Sequence, residues 1–498
     1  MKSIIKYITI VAGALALTTS CNKSKLDLLP HGPTEFSYFQ EEADFNKAVI
    51  GVYAKMNDAY WFRASGWSCT VPIFILPGDD VTTTEDEDFE TFGRIQPGNG
   101  RLSDFYRVWY RMIARANVVL EKIEEEEGIY TTPGLKDYHK GEALFLRGYS
   151  YYILWNYFGT APLVTSRVTS SDQFTPPSST GTQLLDQAIT DFEGAASLLP
   201  ESWSSANRGR ATKNSARGML GKSLVFRASS SGTSGDYTQA ISAFDAIAGV
   251  SLVPDFGDNF AVDTENNSES LFEYQSTQAF AFNNVWLDND FDNPIGNLSV
   301  FWGYYDNNNG LYGKLPFSAT NKLAAAFEEG DPRKEETLNP ADNMIRKYVS
   351  RNQLDQAGVG SVNNPRILRY ADVLLLKAEA ILQSGGSTSA AIELINQVRA
   401  RARNMGNGTV PADYATTQTD KNVIMEWIMN ERFLELSGEG QRWFDLKRWH
   451  MQGAITLNNA YFSSRATTMS FEAPKHLLFP IPNIETDVNP NIVQNTGY

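Results

Sequence analysis

Asn430-Glu431-Arg432-Phe433-Leu434-Glu435-Leu436 is followed, after three residues, by Gly440-Gln441-Arg442-Trp443-Phe444-Asp445-Leu446-Lys447-Arg448-Trp449. On helices, Phe433, Leu436, Trp443 and Leu446 are expected to pack inward. Arg432, Glu435, Asp445 and Arg448 then carry the charges for buried or half-buried ion pairs. Arg442 and Trp449 are not expected to share a face with Trp443 throughout. A block of this kind reads as scaffold, and not as a place where a ligand binds.

Outward from this block, helical periodicity dominates. Leu102, Phe105, Trp109, Met112, Ile113, Ala116, Leu120 and Ile123 follow the i, i+3, i+4 rule of one helix face. Its acidic end, Glu124 to Glu127, runs into Gly128, a stop signal. Further helices are expected over 36–56, 135–158, 183–198, 213–228, 237–247, 366–382, 389–403 and 422–436. Small residues recur in Ala143–Leu146–Tyr149 and in Ala216–Leu220–Leu224. Paired helices with such spacing suggest tetratricopeptide-like stacking. The fold class expected is therefore mostly α.

The chain has 498 residues, 42% of them hydrophobic, enough for a large core. Its formal charge of −15 argues against nucleic-acid binding, which needs a basic footprint. Two cysteines, Cys21 and Cys69, exclude a disulfide framework and a multi-Cys zinc site. The four histidines are scattered and form no local metal-binding pair. No Gly-x-Ser-x-Gly elbow, phosphate-binding loop or dinucleotide fingerprint is present, which disfavours nucleotide chemistry and weighs only weakly against hydrolysis. Counting acids does not by itself exclude a glycosidase with two carboxylates.

Residues 1–20 read as an export address. Lys2 and Lys6 precede an apolar run from Tyr7 to Leu17, then Thr18, Thr19 and Ser20 lead to Cys21. The run is short for a membrane span, which needs about 20 residues. Cys21 after small residues resembles a lipoprotein signal, with Cys21 the acylated first residue; the alternative is ordinary secretion with an incidental thiol. Residues 21–40 read as a tether, broken by Pro30, Gly32 and Pro33. Residues 41–498 are expected to form one domain: about 41–275, an aromatic insert at about 276–316, and about 317–498.

The insert is chemically distinct. It holds nine aromatics, eight asparagines and four aspartates, with one lysine and no helical period. A long polar loop of this kind is more often functional than filler. Pyranose rings stack their C–H faces on indole or phenol rings, while amides and carboxylates satisfy the hydroxyls. Trp286, Asp290, Trp302, Tyr304 and Tyr305 are the candidate ligand contacts; Phe280, Phe282, Phe291 and Phe301 are expected to anchor the loop. A smaller cluster (Tyr60, Trp61, Phe62, Trp67) lies near Arg63, and Trp67 and Arg63 join the candidates. Asp288, Asp290 and Asp292 alternate like the start of a calcium loop, but Asn293 and Ser299 stand where Gly and Glu are needed. A solvated loop is favoured there, as it is for the acidic run 85–88. No cofactor is expected, with calcium the one alternative left open.

Several separated motifs carry a resemblance. Leu26-Asp27-Leu28-Leu29-Pro30 follows Cys21, and Ala48-x-x-Gly51-x-Tyr53 closes the first helix. Leu368-Arg369-Tyr370-Ala371-Asp372-Val373-Leu374-Leu375 and Lys377-Ala378-Glu379-Ala380 precede the opening block. Leu478-Phe479-Pro480-Ile481-Pro482, Glu485 and Asn489-Pro490-Asn491 close the chain. Together they resemble the SusD/RagB family of surface nutrient-binding lipoproteins. The resemblance implies tetratricopeptide-like helix pairs as scaffold, with a loop-rich half carrying the ligand surface. It implies a non-catalytic lipoprotein (palmitate on Cys21) on the outer membrane of a Bacteroidetes-type cell, facing outward. Its implied partners are an oligosaccharide and a SusC-like TonB-dependent transporter, with peptide capture, as in the RagB branch, the alternative.

Overall fold

The computed structural model describes residues 38–60, 70–83, 88–125, 127–276, 317–348, 356–357, 360–361, 363–463 and 469–498. Through the first half run α1 (Glu42–Tyr53), α2 (Met56–Tyr60), α3 (Val71–Ile75), β1 (Val81–Thr83), α4 (Asp88–Thr91), α5 (Gly100–Glu125), α6 (Leu135–Phe158), α7 (Gln183–Leu198), α8 (Lys213–Ser231), α9 (Gly235–Asp245) and β2 (Ser270–Glu273). The second half has β3 (Phe317–Ala319), α10 (Asn321–Ala326), α11 (Arg333–Thr337), β4 (Gln356–Ala357), β5 (Gly360–Ser361), β6 (Arg366–Arg369), α12 (Tyr370–Gln383), α13 (Thr388–Met405), α14 (Lys421–Leu436), α15 (Arg442–Gln452) and α16 (Asn483–Thr486).

The fold is mostly α, as the periodicity predicts. Long helices pack on their neighbours in chain order: α5 on α6, α6 on α7, α7 on α8, and α8 on α9. The stack continues from α9 onto α12, which packs on α13 and α14. Side-chain caps start some of these helices. Thr212 and Ser215 cap α8 reciprocally, and Asp420 accepts from Asn422 N at the start of α14.

Close helix contacts depend on missing side chains. A Cβ on Gly148 of α6 would stand 3.0 Å from Asp191 Cβ of α7, and one on Gly221 of α8 would meet Phe244 of α9 at 2.3 Å. Buried Arg147 reinforces the first contact, donating to both carboxylate oxygens of Asp191 at 2.9 and 2.7 Å. The predicted stripe of α5 is buried apart from Leu120, which is half-buried, and Tyr106, Val108, Asn117 and Val119 are buried as well. The face is wider than predicted because α1 covers one side and α6 the other.

Two expectations change. Residues 366–369 are strand and not the first turn of a helix. Arg366-Ile-Leu-Arg pairs antiparallel with β2, and all four residues are buried. The expected helix over 36–56 is instead α1 and α2, separated at Ala54 and Lys55. Among the described residues no helix is long and apolar enough to cross a membrane.

Candidate functional site

Cys21, Arg63, Trp67, Trp286, Asp290, Trp302, Tyr304 and Tyr305 all lie outside the described residues, as do Asp288, Asp292 and residues 85–87 of the acidic run. Asp88, the last of that run, opens α4 and accepts from Arg94 at 2.7 Å and from Asn99 at 3.0 Å. Among the described residues, no group of three or more His, Cys, Asp or Glu is placed to hold a metal ion.

The described residues flanking these stretches touch one another. Tyr60, the last residue before 61–69, stacks on Tyr274 at 5.2 Å and on Phe74 at 5.5 Å. Its hydroxyl shares a 2.8 Å hydrogen bond with that of Tyr149. Tyr60 is thus a core residue and not a ligand contact. Ser276 N, at the threshold of 277–316, donates to Asn364 Oδ1 at 2.7 Å. On the far side of that stretch, Phe317 pairs with Thr83, and its carbonyl accepts from Ile345 N at 3.2 Å. Arg366 then bridges the two sides. It lies 3.4 Å from Glu273, and its backbone N–H donates to Tyr348 Oη at 3.3 Å. The aromatic stretches 61–67 and 276–316 therefore begin from one cluster of side chains.

Beside this root lies a cavity of about 190 Å³, between α1, α2, the 206–210 turn and the end of β2. Tyr53, Asn57, Arg208, Arg210, Tyr274 and Gln275 are among its lining. Gly209 makes the turn possible: its φ is +91°, and a Cβ there would stand 2.3 Å from Gln275. Arg210 reaches away to buried Glu142, donating through Nε at 2.6 Å, and lies over the Trp203 ring at 4.4 Å. Tyr53 Oη donates to Glu142 Oε1 at 2.9 Å and accepts from Ala211 N. Burial pushes the Glu142 carboxyl up, against the pull of Arg210 and Tyr53. Sequence reasoning missed this cavity because its walls come from three separated segments. The one local signal is Asn207-Arg208-Gly209-Arg210, a glycine between two arginines.

The opening sequence block has a different use. Trp443, Leu446, Phe433 and Leu436 are buried, as expected. So is every other residue from Arg442 to Trp449, so α15 is enclosed up to its last turn, where Met451 is exposed, and Arg442 and Trp449 are covered along with Trp443. Arg432 bridges Asp372 (2.7 Å) and Asp445 (2.8 Å), and Arg448 bridges Asp445 and Glu379. Glu435 accepts from Arg369 at 2.6 Å, from Arg333 at 3.0 Å and from Arg401. Burial pushes the Glu435 carboxyl up, but Arg401, Arg369 and Arg333 outweigh it and hold the group well below the usual range. Asp80 departs from this pattern: burial, reinforced by Asp79, raises it to about 6 against the Gly438 N–H and Arg442.

A stack of helix pairs with buried charge clusters and an aromatic-rich stretch rooted beside a cavity defines a helical binding scaffold. Comparison with known proteins sharpens that class. The SusD family profile matches residues 225–498, and a profile described as "Starch-binding associating with outer membrane" matches residues 39–224. The chain belongs to the SusD family. SusD-like protein P2 of Formosa agariphila is 25% identical, the alignment covering 93% of this chain and 94% of that one. A SusD-like protein of Bacteroides ovatus is 23% identical, over 88% and 82%. Among solved structures, a SusD superfamily protein of Bacteroides vulgatus superposes with a TM-score of 0.71 at 26% identity, covering 93% of this chain and all of that one. A laminarin-binding SusD-like protein superposes with a TM-score of 0.73 at 23% identity over 92% and 100%, which shows the shared fold.

Proposed function

We propose that this protein is a non-catalytic, cell-surface glycan-binding lipoprotein. It captures oligosaccharide and delivers it to a SusC-like TonB-dependent outer-membrane transporter. The observation that carries this reading is the stack of Tyr60 on Tyr274. It roots at one place a short stretch that holds Trp and Arg and a long one rich in Trp, Tyr, Asn and Asp, and those residue types suit sugar rings and hydroxyls. Full-length similarity to SusD-like proteins supports it, as does the outer-membrane description of the profile over residues 39–224. Acyl chains on Cys21 tether the protein at high effective concentration near its transporter.

The test is native affinity electrophoresis of residues 22–498 through gels that each hold one polysaccharide. Retardation in at least one gel is expected. Trp286→Ala and Trp302→Ala should each weaken that binding by about 1–3 kcal/mol with the fold intact, by analogy with base stacking on aromatic side chains. Wild-type affinity in both variants refutes the assignment of the aromatic stretch. Retention of peptides with no retention by any glycan refutes the ligand class.

A further inference from the structure

Single exposed apolar side chains are ordinary on a protein surface, but a cluster of them marks a contact. Among the described residues six large apolar side chains are exposed, and five come from two short stretches: Val168 and Phe174, then Ile484, Val488 and Val493. The sixth, Met451, stands apart in the last turn of α15. Phe174, Val488 and Val493 are 67%, 70% and 69% exposed, so most of each side chain faces water.

The fold brings the two stretches side by side and fastens them. Asn489 Nδ2 donates to the Pro176 carbonyl at 2.8 Å, and Asn491 Nδ2 to the Thr175 carbonyl at 2.7 Å. Ser178 N donates to the Asn491 carbonyl at 3.3 Å, and Val493 N to Ser178 Oγ at 2.9 Å. Asp487 N donates to the Asn483 carbonyl and Asn489 N to that of Glu485, so Ile484 and Val488 lie one helical turn apart on one face. Buried Asn495 ties the chain end to the carbonyls of Phe158 and Phe479. A chain end without such ties frays. Here the apolar side chains are held outward on ordered backbone, which lowers the cost of docking.

Charge narrows the occupant. Residues 168–178 and 483–493 contain three charged side chains, Asp172, Glu485 and Asp487, all acidic. Half-buried Glu485 has Arg107 beside it. Asp172 and Asp487 are exposed and pair with no cation among the described residues. Aliphatic side chains offer a sugar neither a stacking face nor a partner for its hydroxyls. An anionic membrane surface recruits basic residues, and these stretches have none. A second copy docked through the same face would set Asp172 and Asp487 against the same acids.

We propose that this face is a docking surface for a partner protein whose contact segment carries apolar side chains flanked by Lys or Arg. Phe174, Ile484, Val488 and Val493 cover the apolar residues, and Asp172 and Asp487 receive the cations. At physiological salt, exposed charges beyond about 8 Å are largely screened, so these two carboxylates set the preference rather than the net charge of −15. None of these residues lines the cavity beside the aromatic root, and the surface stands independently of the glycan reading.

The experiment is fluorescence anisotropy of the purified protein at physiological salt with three labelled peptides of equal length. One alternates lysine with leucine, one glutamate with leucine, and one lysine with serine. The lysine–leucine peptide should bind tenfold or more tightly than either of the others. Phe174→Ser combined with Val488→Ser, at exposed positions that leave the fold intact, should bring that preference down to about threefold or less. Met451→Ser, outside the face, should leave it unchanged. Asp172→Lys combined with Asp487→Lys should pass the preference to the glutamate–leucine peptide. Absence of any preference for the lysine–leucine peptide overturns the proposal. So does a preference that survives both serine changes, falls as far in Met451→Ser, or stays with lysine after the charge reversal. Dimerisation of the protein that the two serine changes abolish assigns the face to a second copy and overturns it as well. Binding to phosphatidylglycerol vesicles that the same changes abolish assigns it to lipid, with the same consequence.

Discussion

Replacing Glu435 with Gln tests whether the buried charge cluster holds the second half of the fold together. Glu435 is fully buried and accepts from three guanidinium groups, those of Arg333, Arg369 and Arg401. Those arginines come from α11, β6 and α13, while Glu435 sits on α14, so one carboxylate joins four elements. Gln keeps the shape and one acceptor oxygen. It also turns an N–H₂ donor toward guanidinium donors and leaves one positive charge uncompensated. Breaking one partner of a buried pair costs about 3–5 kcal/mol, and Glu435→Gln should cost that much. Urea unfolding at pH 7 reads it as a shift in midpoint at constant m. The surface pair Lys140–Glu124 is the control; Glu124 is exposed and Lys140 half-buried, and Glu124→Gln should cost no more than about 1 kcal/mol. Removing the surplus cation as well, in Glu435→Gln with Arg401→Met, should recover at least about 1 kcal/mol relative to the sum of the single changes. The sign with pH follows from the depressed carboxyl. Its contribution is fully present above the unfolded value of 4.5 and is lost as pH falls below it, so acid should erode the wild type more steeply than Glu435→Gln. A cost under about 1 kcal/mol, or strict additivity with Arg401→Met, would refute the reasoning.

Gly221→Ala forces a Cβ against Phe244 and should destabilise by about 1–3 kcal/mol. In a Phe244→Ala background the same change should cost at least about 1 kcal/mol less, measured by the same unfolding curves. Lys447 offers a second pH test, of the same sign as that of Glu435 but in the alkaline range. Its ammonium is buried and donates to the Asn156 carbonyl beneath the Trp155 ring, and burial pushes it down from 10.5 to about 7. Below about 7 both states hold the proton, and the folded state bears the full cost of the buried charge. Between about 7 and 10.5 only the unfolded state keeps the proton, so folding stability rises with pH by about 1 kcal/mol per unit. Lys447→Met should lose that rise, and a stability difference from wild type that stays constant from pH 6 to pH 9 (roughly 1.4 kcal/mol per unit being the ideal slope) would refute the assignment.

Legibility in the sequence followed the range of the forces involved. The helices 135–158 and 183–198 coincide with α6 and α7, because a long amphipathic period is a local signal. Residues 366–369 are too few to carry a period of their own, so the helical pattern that follows extends over them. Their partner, Ser270–Glu273, is distant in the chain, so strand pairing overrides local preference. The ion-pair residues Arg432, Glu435, Asp445 and Arg448 were identified by charge and spacing. Burial of residues 442–449 on every side is not legible that way, since it depends on the elements packed around them. For the candidate site, the aromatic stretches were legible from composition alone. The cavity beside their root was not, because Asn57, Arg208 and Gln275 have nothing in common until α2, the 206–210 turn and β2 meet.

The residues that mark the family and those that would select a ligand are separate for a physical reason. Arg432, Arg448, Glu435 and Asp445 are fully engaged: each is buried, and each charge meets one or more opposite charges. A group with no exposed polar capacity has nothing to offer a ligand, and exchanging it breaks a cluster. Such positions tolerate few substitutions whatever the protein binds, which makes them legible as fold. Arg208 is the opposite case. It is exposed, makes no ion pair among the described residues, and stands beside a glycine whose positive φ holds the turn against Gln275. Its exchange costs the fold little and changes the charge of the cavity by one unit. A change at Arg432 therefore bears on whether the scaffold forms, and a change at Arg208 leaves the scaffold standing.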